Sequence, residues 1–132
     1  MKVVALDYGS ARTGVAVSDP TGTIARPLAV VERAASEAGL ARIAELVRAQ
    51  DAERVVVGLP LTLRGQRGAQ AQETEAFVEA LRQVVEVTVE SYDERFTTRL
   101  AASTGSDEAP EDARAAAHLL SSYLEWSSAA RG

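Results

Sequence analysis

The stretch "VVALDYGSARTGVAVSD", residues 3–19, decides the fold of this chain. Its first half is an apolar run without polar alternation, which is typical of a central strand covered on both faces. A second apolar run starts at Thr13, after a link that contains only Gly9 to Arg12. So short a link permits an antiparallel hairpin and excludes a parallel crossover, which needs about a dozen residues. The stretch predicts two paired strands, the first of which ends at a carboxylate, Asp7.

The rest of the chain continues with strand and helix patterns. Apolar runs predict three further strands, at residues 24–31, 54–60 and 85–91. Apolar residues at helical spacing predict four helices: one capped by Ser36, one after the loop of residues 65–68, a short one at 97–103 and one that begins at Pro110. Pro27 indicates that the third strand lies at an edge. We expect one α/β domain over residues 1–132, a mixed sheet with helices on both faces and a flexible tail from about residue 127.

Composition excludes several classes of protein. The chain has no cysteine, so it has no disulfide, no thiolate zinc site and no cysteine nucleophile. Its net charge of −5 argues against a protein that coats nucleic acid, although an enzyme with local arginines and bound cations fits. The first apolar run is too short for a signal peptide or a membrane span. We therefore expect a soluble, cytoplasmic protein without a membrane partner.

Two acidic residues take positions that usually hold core or ligand-binding groups. Strand alternation points Asp7 the same way as buried residues, at the strand end where open α/β sheets bind ligands. Asp112 lies in the first turn of the last helix, in line with its apolar residues Ala116 and Leu119. Each has a purely structural alternative. An aspartate can hold the turn that follows a strand, and acids favour helix N-termini.

A third acid is expected where the fifth strand ends. If the alternation of the strand continues, Asp93 shares the face of its valines and Glu94 takes the opposite face. The strand pattern alone favours Asp93 as the inward-facing acid. The structural alternative is a solvated acidic turn.

Carboxylates from the first strand, the end of the fifth strand and the last helix form a candidate cluster. Such groups raise one another's pKa and repel, unless a divalent cation lies among them. Hard oxygen ligands suit Mg²⁺ or Mn²⁺ rather than zinc. Two such ions about 4 Å apart can activate a water and stabilise the leaving oxygen in phosphodiester cleavage.

Arginines near the same strand ends are candidates for phosphate binding. The five are Arg12, Arg64, Arg67, Arg95 and Arg99. Lone arginines usually only solubilise a protein, so Arg12 and Arg95 are the favoured pair. His118 is six positions from Asp112, which rotates it off the same helix face. We expect it at the boundary of the core rather than as a general base.

Four segments in order span nearly the whole chain: "ALDYGSARTGVAVSD", "VVVGLPLTLRGQRGAQAQETEAFVEALR", "YDERFTT" and "EDARAAAHLLSSYLE". Together they resemble the YqgF family, also called RuvX, of bacterial RNase H-like proteins. The resemblance implies an RNase H-like fold with a five-stranded mixed sheet in the order 3-2-1-4-5. It also implies a metal-dependent nuclease that processes the 5′ end of pre-16S rRNA during ribosome biogenesis, with ribosomal precursor particles as partners.

The resemblance implies the roles of individual residues. It assigns the catalytic and metal-ligating acids to Asp7, Glu94 and Asp112, and so favours Glu94 where the strand pattern favours Asp93. Asp93 is kept as an additional acid. Thr62 departs from the family pattern, because relatives often carry Asn there, so the substrate contacts of that loop do not carry over.

Three other functions fit parts of the pattern. The family is similar to RuvC-type Holliday junction resolvases, which act on branched DNA and need a two-fold dimer, so a monomer and a homodimer both stay open. The segment "LDYGSARTGVAVSD" also resembles the phosphate-binding hairpin of actin, Hsp70 and sugar-kinase ATPases, but the chain has one such hairpin and no second half. A ribosome-assembly factor that binds nucleic acid without cutting it is the third, and the complete acid set favours an enzyme over it.

Overall fold

The computed structural model describes residues 1–60, 68–94 and 109–131. The elements in chain order are β1 (Val3–Asp7), β2 (Arg12–Ser18), β3 (Ala25–Glu32), α1 (Glu37–Ala49), β4 (Arg54–Leu59), α2 (Ala69–Arg82), β5 (Thr88–Asp93) and α3 (Glu111–Arg131). The short helix predicted at 97–103 lies outside the described residues.

The strands form one mixed sheet in the order β3-β2-β1-β4-β5, which confirms the predicted order. The pairs β1–β2 and β2–β3 are antiparallel, and the pairs β1–β4 and β4–β5 are parallel. The hairpin places Asp7 opposite Gly14. As predicted, β3 lies at an edge of the sheet that the described residues form, and an edge strand accommodates Pro27 because it needs backbone hydrogen bonds on one side only.

Helices cover both faces of the sheet, as predicted, and each face has its own core. On one face, Val4 and Leu6 pack beneath α1 and α2. On the other face, Val3 and Ala5 pack beneath α3. Asp7 continues the series of Val3 and Ala5, because alternate residues of a strand share a face. The carboxyl group of Asp7 therefore lies on the α3 side.

Most element boundaries agree with the sequence prediction to within two residues, and two differ by more. β5 starts at Thr88 instead of residue 85, because the backbone N–H groups of Val84 and Val85 still bond to the carbonyl oxygen of Leu81, at 3.0 and 3.1 Å. α3 continues to Arg131, through the segment where we expected a flexible tail. Ser127, at the start of that segment, is buried.

The helix starts follow local sequence signals. Ser36 caps α1, since its Oγ accepts a hydrogen bond of 3.0 Å from the backbone N–H of Gly39. α3 follows Pro110, whose carbonyl oxygen accepts a hydrogen bond of 3.0 Å from the backbone N–H of Arg114. In the parts of the chain given above, none of the helices has both the length and the apolar character needed to cross a lipid bilayer.

Candidate active site

The side chains of Asp7 and Glu94 are hydrogen-bonded to each other. Asp7 is the last residue of β1, and Glu94 directly follows β5, two strands away in the sheet. Gly58 lies in β4, the strand between β1 and β5, and because it has no side chain there is room for the side chain of Glu94 to reach Asp7. A Cβ atom at Gly58 would lie 2.6 Å from Glu94 Oε1 and 3.0 Å from Leu119 Cδ2. Glycine weakens a strand, and here it admits a carboxyl group at the centre of the sheet.

Strand alternation explains why Glu94 meets Asp7. Val89 packs in the core beneath α1 and α2, whereas Tyr92 packs in the core beneath α3. Glu94 continues the face of Tyr92, which is also the face of Asp7, and Asp93 continues the face of Val89. The sequence pattern assigns the two faces of β5 correctly, but it does not reveal which of them Asp7 shares. The strand pattern, which alone favours Asp93 as the inward-facing acid, therefore does not identify the acid on the face of Asp7, which is Glu94.

Asp112 approaches the same point from the first turn of α3. A Cβ atom at Gly14, the partner of Asp7 in the hairpin, would lie 1.8 Å from the carbonyl oxygen of Asp112. Because Gly14 has no side chain, the first turn of α3 rests directly on β2. The negative charge of Asp112 is close enough to raise the pKa of Asp7. Residues distant in sequence thus bring three carboxyl groups into one neighbourhood.

Both members of the Asp7–Glu94 pair hold protons more firmly than ordinary carboxyl groups. Burial raises the pKa of Asp7, the hydrogen bond with Glu94 lowers it, and the charge of Asp112 raises it again. Burial, the charge of Asp7, the hydrogen bond to Asp7 and the charge of Asp93 together raise the pKa of Glu94 to about 7. Near neutral pH the two carboxyl groups therefore share a proton, with Glu94 as the donor.

Arg12 brings a positive charge to this acidic group. Its Nε donates a hydrogen bond of 3.0 Å to Asp112 Oδ2, and the two side chains are 64% and 40% exposed. The ion pair therefore faces solvent at the entrance of the site. Asp112 is thus ion-paired with Arg12, which the sequence analysis predicts to bind phosphate.

The turn before Arg12 is held without the help of Asp7. Thr13 Oγ1 accepts a hydrogen bond of 3.2 Å from the backbone N–H of Gly9 and donates one of 3.3 Å to the Gly9 carbonyl oxygen. Thr13 is fully buried, so these contacts fix the turn to the sheet. The structural alternative for Asp7, a turn-holding aspartate, is therefore not needed to explain this hairpin.

The three carboxyl groups fit a hard divalent cation by donor type, because Mg²⁺ and Mn²⁺ prefer carboxylate oxygens. In this structure, however, the three groups are not positioned to bind one ion together. In residues 1–60, 68–94 and 109–131, no three or more acidic or histidine side chains are arranged to hold a metal ion. Asp7 and Glu94 share a proton, and Asp112 is paired with Arg12. A cation can replace the proton, so the donor set suits a metal once Asp112 turns toward the pair.

His118, which we do not expect in the site, and the residues considered for substrate contact remain to be placed. His118 is half-buried on α3, at the edge of the core as expected, and its Nδ1 has no hydrogen-bond partner in the part of the chain that the structure describes. The remaining residues named for substrate contact lie outside the described ranges: Thr62, Arg64, Arg67, Arg95 and Arg99.

Gly14 and Gly58 are site residues that the sequence analysis does not identify. Each has apolar or β-branched neighbours on both sides in its buried strand: Thr13 and Val15 flank Gly14, and Val57 and Leu59 flank Gly58. A glycine in such a pattern marks a strand that another group approaches closely, and this signal was available in the sequence. What the sequence does not reveal is that the approaching groups are Glu94 and the backbone of Asp112.

Comparison with known proteins places the chain among nucleic-acid enzymes. Residues 1–126 match the family model RuvX, which is described as Holliday junction resolvase. A relative from Chloroflexus aurantiacus, named "Putative pre-16S rRNA nuclease", is 38% identical over 131 residues, which cover 93% of this chain and 86% of the relative. A relative of the same name from Nocardia farcinica is 40% identical over 139 residues and covers 94% of this chain and 77% of its own length.

Solved structures share the fold at lower sequence identity. RuvC of Thermus thermophilus, in complex with a Holliday junction substrate, superposes with a TM-score of 0.71 at 18% identity and covers 98% of this chain and 96% of its own. A Fowlpox virus resolvase in complex with Holliday junction DNA gives a TM-score of 0.51 at 12% identity, over 97% of this chain and 96% of that one. These similarities confirm the predicted RNase H-like fold.

Proposed function

Because the chain belongs to the RuvX family, we propose that it is a divalent-metal-dependent nuclease that hydrolyses phosphodiester bonds in the precursor of 16S rRNA. The observation that carries the proposal is the contact between Asp7 and Glu94, with Asp112 beside them, at the carboxyl end of the central strand. A group of like charges is costly to assemble, and a fold retains one where a bound cation gives it a use.

Asp7, Glu94 and Asp112 would hold a pair of Mg²⁺ or Mn²⁺ ions. When bound, such ions activate a water for attack on phosphorus and stabilise the oxygen that leaves. Asp7 is the fixed member of the set, because it ends the most central strand of the sheet. Asp112 is the adjustable member, since its side chain is 40% exposed and joins the site from the end of a helix.

Glu94 is suited to a change of protonation near neutral pH. Its pKa of about 7 means that a small change in its surroundings removes its proton. The carboxylate that results is a ligand, whereas the protonated form is not. Glu94 therefore couples the charge state of the site to the presence of a cation.

The choice of substrate rests on the relatives. Those similar over nearly the whole chain carry the pre-16S rRNA name, which supports an rRNA precursor within ribosomal precursor particles as the substrate. The net charge of −5 supports a protein that is directed to one substrate rather than one with general affinity for nucleic acid.

A Holliday junction resolvase is the second candidate, favoured by the description of the family and by the fold shared with RuvC. A resolvase cuts two strands symmetrically, so this function requires a two-fold dimer that presents two sites to one junction.

One assay separates the candidates. Purified protein is incubated with labelled pre-16S rRNA and with a labelled four-way DNA junction, in Mg²⁺, in Mn²⁺ or in EDTA. We expect metal-dependent shortening of the rRNA and no symmetric cutting of the junction. Symmetric cutting of the junction by a dimer supports the second candidate. A folded protein that cuts neither substrate with either ion contradicts both.

A further inference from the structure

The ion pair between Arg12 and Asp112 joins the hairpin to the first turn of α3 across the entrance of the site. Arg12 uses Nε for this contact, at 3.0 Å from Asp112 Oδ2. Its Nη1 and Nη2 groups take part in none of the hydrogen bonds found within the described ranges. An arginine that holds a carboxylate through one edge of its guanidinium keeps the other donors for a second anion.

We propose that Arg12 competes with a divalent cation for Asp112, and that a substrate phosphate bound by Arg12 releases Asp112 to complete the metal site. This inference rests on the proposed function, because it assumes that the acid cluster takes a metal. It goes beyond that function in giving the site an internal control. The metal-binding arrangement assembles fully only when nucleic acid is present.

The anchoring of the two partners supports a local switch. The backbone of Arg12 is fixed by the turn that Thr13 holds, and the backbone of Asp112 is fixed by its close contact with Gly14. Neither main chain can move far, so a change of partner takes place by side-chain rotation. Both side chains are exposed enough to rotate without disturbing the core.

The ion pair between Arg12 and Asp112 is weak enough to break when a phosphate binds. A solvent-exposed pair shifts an equilibrium by no more than about fivefold, because water screens the charges and side-chain freedom is lost. A phosphate can accept two parallel hydrogen bonds from the guanidinium of Arg12 and carries more charge than a carboxylate. A bound phosphate can therefore displace Asp112 from Arg12. Linkage then requires the effect to be mutual: if nucleic acid tightens metal binding, the metal tightens nucleic-acid binding by the same factor.

The test measures the affinity for Mn²⁺ by titration calorimetry. Wild type is compared with Arg12→Gln, with Arg12→Lys and with Arg33→Gln. Arg33 is exposed, and the ion pairs within the described ranges do not include it, so Arg33→Gln makes the same change of charge without touching Asp112. We expect Arg12→Gln to bind Mn²⁺ about two- to fivefold more tightly than wild type, because Asp112 is free. Arg12→Lys and Arg33→Gln should remain close to wild type.

The same titrations are repeated with a short phosphorothioate RNA, which resists hydrolysis. We expect the RNA to tighten Mn²⁺ binding to wild type severalfold and to have no such effect on Arg12→Gln. Two results overturn the proposed competition between Arg12 and the cation and leave the proposed function intact. One is equal Mn²⁺ affinity of Arg12→Gln and Arg33→Gln, and the other is an RNA effect on Mn²⁺ binding that is the same in Arg12→Gln and Arg33→Gln. A wild type that binds no Mn²⁺, or binds it as well as Asp7→Asn does, overturns the proposed function itself.

Discussion

Glu94 hydrogen-bonds to Asp7 across the one residue of β4 that has no side chain, Gly58. Two glycines, one in each strand beside β1, leave room for acidic residues at the centre of an otherwise apolar sheet. Gly58 makes room for the side chain of Glu94, and Gly14 makes room for the backbone of Asp112. The site is therefore built by the absence of side chains as much as by the acids themselves.

The shared proton predicts an unusual dependence of stability on pH. Between pH 4.5, the ordinary pKa of Glu, and about 7, the folded protein keeps a proton on Glu94 that the unfolded chain has lost. The folded state binds more protons in this window, so the free energy of unfolding falls as the pH rises through it. Because Glu94 is partly exposed, we expect a loss of about 1 kcal/mol.

Urea unfolding at pH 5.5 to 8 in EDTA measures this loss. Glu94→Gln stays neutral, so its stability should be nearly flat over the same range, whereas the exposed Glu86→Gln should follow wild type. A wild-type stability that rises with pH across this window would contradict the protonated pair.

Gly58→Ala should push Glu94 away from Asp7. The added Cβ meets Glu94 Oε1 at 2.6 Å and Leu119 Cδ2 at 3.0 Å, so both side chains have to shift. We expect a loss of about 1–3 kcal/mol in stability and a larger relative loss of Mn²⁺-dependent cleavage. The matched change, Gly68→Ala, adds a methyl group that meets no atom of the described residues within 4 Å and should change cleavage little. Equal cleavage by the two variants would refute the role of Gly58.

Gly14→Ala should have a more severe effect, because its Cβ would lie 1.8 Å from a backbone atom of α3. A backbone cannot yield as a flexible side chain does, so the first turn of α3 has to lift from β2. We expect a loss of more than about 3 kcal/mol, measured by urea unfolding. A variant with wild-type stability would show that α3 does not rest on Gly14.

The sequence predicts the frame of this site better than its interior. The hairpin at residues 3–19, the cap at Ser36 and the edge position of Pro27 follow from local rules about link length, helix ends and missing N–H groups. Those rules act within a few residues, and the structure obeys them. The three acids were also identifiable as candidates, because each interrupts or begins a patterned element.

The partner of Asp7 could not be predicted from strand alternation. Alternation separates Asp93 from Glu94, but the face that β5 shares with Asp7 is set by how α2 and α3 pack on opposite sides of the sheet. The start of β5 was mispredicted for a related reason, since Val85 has a strand-forming side chain but closes the end of α2. Packing between distant elements decides both cases, and no local pattern encodes it.

Metal should stabilise the folded protein through the same carboxyl groups. At neutral pH, free Mn²⁺ at about 100 times its dissociation constant should raise the free energy of unfolding by about 2.7 kcal/mol. Thermal unfolding with and without Mn²⁺ measures the shift. Asp7→Asn should lose it, and Asp51→Asn, an exposed aspartate after α1, should keep it. An equal shift in both variants would place the ion elsewhere.

The most direct test of the account is cleavage of labelled pre-16S rRNA by folded Asp7→Asn in Mn²⁺, beside Asp51→Asn and wild type. Asp7 is the fixed acid of the proposed metal site, so its loss should lower the rate at least about a hundredfold, whereas Asp51→Asn should cleave like wild type. Circular dichroism confirms that each variant is folded. A folded Asp7→Asn that cleaves at the wild-type rate would contradict the claim that this acid cluster is the active site.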